Sequence, residues 1–189
     1  MNALYPAILA QRVYSDAPTI GDANSASRMH VYGDVHAFRG TDNLAALLAD
    51  ADGGTTSVWG LGKIYDGFYA ALAAVLPACL ALPRPAVVVG HSLGAAMAII
   101  YAAILSQLGT VVTVYAFEPP RMCGDDVMAT VLRDKQVGWF ATRNGNDIVT
   151  QIPPALSLPG SLLRIGKPSM PFDNTVDHGI DRVIQALRA

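Results

Sequence analysis

The sequence predicts an α/β fold: a mostly parallel central sheet with helices on both faces. Three observations predict it. Ala86 to Val89 is a short, largely β-branched run that passes without a linker through Gly90-His91-Ser92-Leu93-Gly94 into a helical apolar stretch, and such a run forms a strand buried on both faces. Strand-like and helical segments alternate along much of the remaining chain, the pattern of a parallel sheet with crossover helices. The 189 residues are 52% hydrophobic and 15% charged, which suits one domain, residues 1–189, around a substantial core.

The elements follow in order. An opening helix is expected over Tyr5 to Tyr14, closed by the Ser, Asp, Pro and Gly of Ser15 to Gly21. Met29 to Tyr32 and Val35 to Phe38 read as two strands about a Gly33-Asp34 turn. Asp42-Asn43 can cap a short helix that aligns Leu44, Leu47 and Leu48 on one face, where they either cover the pocket as a lid or pack into the core. Thr56 to Trp59 reads as a strand and Asp66 to Leu76 as a helix that Pro77 kinks or ends. Beyond Ser92, a helix runs to about Leu108, then Thr110 to Phe117 reads as a strand. Gly124-Asp125 opens a helix to about Lys135. Val137 to Ala141 and Leu162 to Ile165 are further strands, and Thr175 to Leu187 is the closing helix. Trp59, Tyr65, Phe68 and Trp139 are expected in the core.

Composition excludes several functions. A formal net charge of −2, with the basic residues scattered, leaves no electrostatic footprint for nucleic acid. Cys79 and Cys123 lack C-x-x-C spacing, so they are expected as free thiols and not as a zinc or redox pair. Phe68 to Leu82 and Ala95 to Leu105 are apolar, yet too short to span a bilayer. The first ten residues carry no basic residue ahead of a proline-broken apolar stretch. That is a poor signal peptide, which makes the cytoplasm the expected location.

The chemistry is read from Ser92. A G-x-S-x-G between strand and helix is a nucleophile elbow, which lifts a serine hydroxyl above the sheet. Serine needs a base, commonly histidine, oriented by a carboxylate, and on an elbow the chain order is Ser, acid, His. His30 and His36 precede the elbow and His91 belongs to it, leaving His178 as the base; the alternative is that it only caps the last helix. Asp147, in the turn-forming Thr142 to Val149, is the expected acid, although a turn aspartate also bonds nearby backbone. Glu118, at the end of the Thr110 to Phe117 strand, is the runner-up. Asp173 and Asp177 read as loop and helix-start residues. Leu93 N–H and the Thr41 backbone and hydroxyl are the expected oxyanion donors, while Thr41 can equally act as a helix cap.

Five segments together resemble one family: Ala37-Phe38-Arg39-Gly40-Thr41, Tyr65-Asp66-Gly67-Phe68-Tyr69, Val89 to Ala96 around Ser92, Phe117-Glu118-Pro119-Pro120-Arg121, and Asn146 to Pro154. Their order and the downstream His178 are similar to the class 3, fungal-type lipases. The resemblance implies an α/β-hydrolase with Ser92, Asp147 and His178 as triad and Thr41 with Leu93 as oxyanion hole. Two departures stand out. Asp42 to Asp52, in the place of the family's lid, is short, and Glu118-Pro119 stand where many relatives read glycine and another small residue.

The expected activity is hydrolysis of carboxylic esters through a covalent acyl-enzyme, without metal or organic cofactor. Its partner is a small ester or lipid, with transient contact at a lipid interface. Two other functions share these residues: acyl transfer to an acceptor other than water, and a non-catalytic lipid- or protein-binding module on the same fold.

Overall fold

The computed structural model describes residues 2–41 and 53–189. Its centre is β6 (Val87–His91), buried along its whole length. β6 pairs in parallel with β3 (Val35–Phe38) on one side and β7 (Thr113–Phe117) on the other. Parallel pairing continues to β8 (Gly138–Asn144) and β9 (Leu163–Ile165). Beyond β3, antiparallel β2 (Arg28–Tyr32) and β1 (Ile20–Gly21) complete the seven-stranded order β1-β2-β3-β6-β7-β8-β9. The sheet is mostly parallel, as the alternating pattern predicts. A separate hairpin joins β4 (Thr55–Val58) to β5 (Gly62–Tyr65).

Successive side chains of a strand point to opposite faces, and β6 feeds two cores accordingly. Val88 packs with Phe38, Val114 and Ala116 beneath α2 (Asp66–Ala73), α3 (Leu76–Ala81), α4 (Leu93–Gln107) and α5 (Val127–Asp134). Val87 and Val89 pack on the other face with Leu9 and Val13 from around α1 (Leu4–Arg12) and Val183 and Ile184 of α6 (Ile180–Arg188). Burying each such valine or leucine stabilises the fold by about 1.5–3 kcal/mol. α4 is apolar nearly all round because it is buried nearly all round. No described helix is long and apolar enough to cross a membrane.

The Gly33-Asp34 turn is a two-residue hairpin connection, with Tyr32 opposite Val35 and Gly33 at φ +65, the positive φ that primed turns require. Elsewhere, tertiary context moves the expected boundaries. Pro77 does not end a helix: α2 stops at Ala73, and Pro77 lies in the first turn of α3, where a missing N–H costs nothing. Thr110 to Val112 lie outside β7, whose ladder begins where β6 offers partners. The closing helix starts at Ile180, after a single 3-10 turn over Val176–His178. β1 and β5 have no counterpart among the predicted strands. Trp59 is 94% exposed on the β4–β5 turn and is no core residue, whereas Tyr65 and Phe68 are buried as expected. Cys79 and Cys123 are buried free thiols. The expected helix bearing Leu44, Leu47 and Leu48 lies outside the described residues.

Candidate active site

Only Ser92 separates the last residue of β6 from the first of α4. It takes φ +59 and ψ −129, a conformation that costs a non-glycine residue about 1–3 kcal/mol. The strand-to-helix turn holds it there. Ser92 N–H donates to the Phe117 carbonyl at 3.0 Å, and the Ser92 carbonyl accepts from Ala95 N–H at 2.9 Å. A Cβ on Gly90 would overlap the Gly94 carbonyl, and one on Gly94 the Phe38 carbonyl. Both positions of the G-x-S-x-G therefore need glycine for close approach.

Leu93 opens α4, so its N–H belongs to the first turn, whose donors have no intrahelical acceptor. On the other side, a Cβ on Gly40 would lie 3.3 Å from Ser92 Cβ and 2.6 Å from the His91 carbonyl oxygen. Thr41 follows directly, half-buried. The chain end of β3 and the start of α4 thus flank the serine, the places expected for oxyanion donors.

The predicted acid and base meet across loops that leave the carboxyl ends of strands. His178 Nδ1–H donates to Asp147 Oδ2 at 2.9 Å, which leaves His178 Nε2 as the acceptor of the neutral ring. Asp147 is fully buried and its Oδ1 accepts from Val149 N–H at 2.9 Å. Burial alone pushes this carboxyl up, but its interactions with His178 first, then with Glu118 and the Val149 amide, outweigh it and lower it. Ser92 Oγ and His178 Nε2 are each buried without a hydrogen-bond partner among the described residues. They are the two atoms a serine nucleophile and its base require to be available.

A third acidic group adjoins them. Glu118 is fully buried at the end of β7, at φ +55, with a carboxyl oxygen within 4.8 Å of one of Asp147. Thr142 Oγ1 donates to Glu118 Oε1 at 3.1 Å, and Asn144 N–H donates to the same carboxyl at 2.9 Å. Burial first, then the neighbouring Asp147, raise Glu118 well above the usual carboxylate range.

Two further residues hold the constellation together. His91 Nε2–H donates to the His178 carbonyl at 2.7 Å, and Tyr14 hydroxyl donates to His91 Nδ1 at 2.9 Å. Burial, with the neighbouring His178, pushes the His91 imidazole down to about 3, so the ring is neutral and can accept on Nδ1. Asp177, beside His178, is buried and accepts from Asn146 N–H at 2.9 Å, from Ser169 N–H at 3.1 Å and from Asn174 Nδ2 at 3.1 Å. It clasps the loop carrying Asp147 to the turn carrying His178. These bonds hold the Asp177 carboxyl down at about 2 even against its burial.

With that geometry in place, the comparisons decide the family. The family model for class 3 lipases matches residues 35–157. The chain belongs to the class 3 lipase family. It is thereby a lipase-type carboxylic-ester hydrolase. Its fold is similar to that of Rhizomucor miehei triacylglyceride lipase, at TM-score 0.71 and 18% identity over 93% of this chain and 90% of that one. It is also similar to Rhizomucor miehei lipase in its propeptide complex, at TM-score 0.68 and 20% identity over 93% and 78% of the two chains. A Yarrowia lipolytica lipase gives TM-score 0.65 and 15% identity over 87% and 78%. No curated protein matches the sequence.

Within this lipase the structure places the sequence-predicted residues in two groups linked through His91: Ser92 and Leu93 on the elbow with Thr41 beside it, and Asp147 hydrogen-bonded to His178. Sequence reasoning missed the roles of His91 and Asp177. The Asp177 bond to Asn174, three residues earlier, is local, but the contacts that tie it to Asn146 and Ser169 join separate stretches of chain and leave no spacing signal. Glu118 was singled out as an alternative acid; it instead stands beside Asp147. Among the described residues, Glu118, Asp147 and His178 are the group whose ligand-type atoms lie within 4.8 Å of one another. His178 Nδ1 is already bonded to Asp147 in that group, and Glu118 stands against the pair.

Proposed function

We propose that the protein hydrolyses carboxylic esters with Ser92 as nucleophile, His178 as general base and Asp147 as its acid partner. The observation that carries this reading is the 2.9 Å bond from His178 Nδ1 to Asp147 Oδ2, in a residue tied by its own carbonyl to His91, the neighbour of Ser92. Ser92 Oγ bonds to the ester carbonyl carbon as its proton passes to His178 Nε2. The carbonyl electron pair moves onto oxygen, where Leu93 N–H and Thr41 donate to it. Collapse of this intermediate releases the alcohol, which takes the proton from His178, and leaves Ser92 acylated. Water then repeats the sequence and frees the acid. Asp147 keeps the imidazole oriented and stabilises its charged form.

The substrate class we propose is an acyl ester, lipid esters included. The segment leading into His178 exposes Met170, Phe172 and Val176, apolar side chains suited to contact an acyl chain or a lipid surface. The test is hydrolysis of p-nitrophenyl esters of two to sixteen acyl carbons by wild type and Ser92→Ala. Loss of about four to six orders of magnitude in kcat, with an unchanged fold by circular dichroism, is the expected outcome. Equal turnover by the variant would remove Ser92 from the mechanism. A short-chain optimum defines an esterase, and a long-chain optimum a lipase.

A further inference from the structure

We propose that Glu118 is a positioning residue, a neutral carboxyl group that donates its own hydrogen to the Asp147 carboxylate and so adds a fourth member to the chain Ser92, His178, Asp147. The proposal rests on the triad reading above and deepens it.

Geometry carries the argument. Glu118 and Asp147 are both fully buried, with carboxyl oxygens within 4.8 Å of each other, and two ionised carboxylates that close and away from water repel too strongly to coexist. One of them holds a proton. Asp147 receives N–H donors from His178 and Val149, which favour its ionised form. Among the described residues, the groups that donate to Glu118 are neutral, the Thr142 hydroxyl and the Asn144 amide. The hydrogen shared between the carboxyls therefore belongs to Glu118.

The surrounding charges agree. His91, at the end of β6, is held neutral by burial. Asp177, on the turn that carries His178, spends its charge on Arg182, at 3.8 Å, and on Ser169, Asn146 and Asn174. Arg143, on β8 beside Glu118's partners Thr142 and Asn144, pairs with Asp173 at 2.6 Å. No cation among these groups offers Glu118 a counter-charge, and burial raises its carboxyl accordingly. The site keeps an acid at φ +55, a backbone conformation that favours glycine. Strain of that kind persists where the surroundings hold the residue for its side chain.

The consequence for the reaction is twofold. The donated hydrogen fixes the plane of the Asp147 carboxylate, hence the His178 ring, and it draws off part of the negative charge that stabilises the imidazolium. The base then releases its proton to the leaving alcohol more readily.

Glu118→Gln keeps the shape, the neutrality, a donor toward Asp147 and an acceptor for Thr142 and Asn144. Glu118→Met keeps the length and removes every hydrogen bond. Both variants retain a side chain at the same φ, so the backbone cost cancels between them. Infrared difference spectra of wild type should show the carbonyl stretch of a protonated carboxyl group at neutral pH, absent from Glu118→Gln. In ester hydrolysis, Glu118→Gln should keep kcat within about threefold and the acid limb of kcat/KM within about 0.3 pH unit. Glu118→Met should lower kcat about tenfold and move that limb up by about 0.5 to 1 unit. A wild type without the infrared band, a Glu118→Gln acid limb displaced downward by about a unit, or a Glu118→Met profile identical to wild type overturns the proposal. If Glu118→Met does not fold, the infrared band and the glutamine variant decide it. Absence of ester turnover in wild type would strike the hydrolase reading, while the infrared comparison would still answer the question about Glu118.

Discussion

Asp147 is worth most to the site as an oriented anion. Its Oδ2 holds the hydrogen on His178 Nδ1, which leaves the lone pair of the neutral ring on Nε2, the atom that takes the Ser92 proton in the proposed mechanism. Asp147→Asn would present an amide in place of that acceptor and favour the wrong tautomer. We expect kcat to fall by about 10⁴ with the fold preserved, as read by steady-state kinetics and a near-ultraviolet circular dichroism spectrum. His91 acts at one remove. Its bond to the His178 carbonyl fixes the backbone of the base, so His91→Phe should lower kcat while KM for soluble esters stays unchanged; a reduced kcat matched by a raised KM would mean that the pocket itself had moved. Ser92, Asp147 and His178 were expected from residue type, local turn chemistry and chain order, and the structure sets Ser92 on the strand-to-helix turn and joins Asp147 to His178. The network of His91, Glu118 and Asp177 was not, because each makes its decisive contact to a residue about 30 or more positions away or to several loops at once.

At the scale of elements, the elbow is the joint on which both sheet and site depend. β6 and α4 cross so closely that Gly90 and Gly94 touch backbone where any side chain would stand. Gly94→Ala should therefore push α4 from the end of β3, cost about 1–3 kcal/mol by overpacking, and displace Leu93 N–H from the oxyanion position. Urea unfolding together with kcat measures both effects; a loss of stability with full activity would separate the joint from the oxyanion site. The elbow was readable because its constraint is local: a β-branched run, a tight turn and a helix in fifteen residues. Element boundaries far from it were not. β7 starts at Thr113 because its ladder partner β6 starts at Val87, and the last helix waits until Ile180 because His178 must first turn toward Asp147. Trp59 misled for a related reason: an aromatic residue near a strand reads as core, yet the β4–β5 turn carries it into solvent.

For the whole molecule, pH acts through imidazoles that the fold keeps neutral. Burial pushes His36 down to about 4 and His91 down to about 3. In the unfolded chain both bind protons below about pH 6.5, so between that pH and the folded values the unfolded state binds more protons and stability falls as pH falls. Asp177, held at about 2, adds a further loss between about pH 4 and pH 2, where the unfolded carboxyl is protonated first. Glu118 works in the other direction: its raised carboxyl binds a proton in the folded state above the unfolded value of about 4.3, and stability declines as pH rises. The melting temperature should pass through a maximum, fall below about pH 6.5, and fall less on the alkaline side in Glu118→Gln. Scanning calorimetry across pH for wild type and that variant checks both limbs. Equal alkaline limbs would mean that Glu118 ionises in both states.

The sequence by itself determined the layers, the elbow and the candidates for nucleophile, base and acid. Hydrophobic period, turn residues and chain order are properties of neighbours along the chain. Only the tertiary structure decided which strands pair, where the last helix begins, and that two buried carboxyls stand together beside His178. Those outcomes depend on burial and on contacts between distant segments, where the loss of water sets the energy of every charge and hydrogen bond.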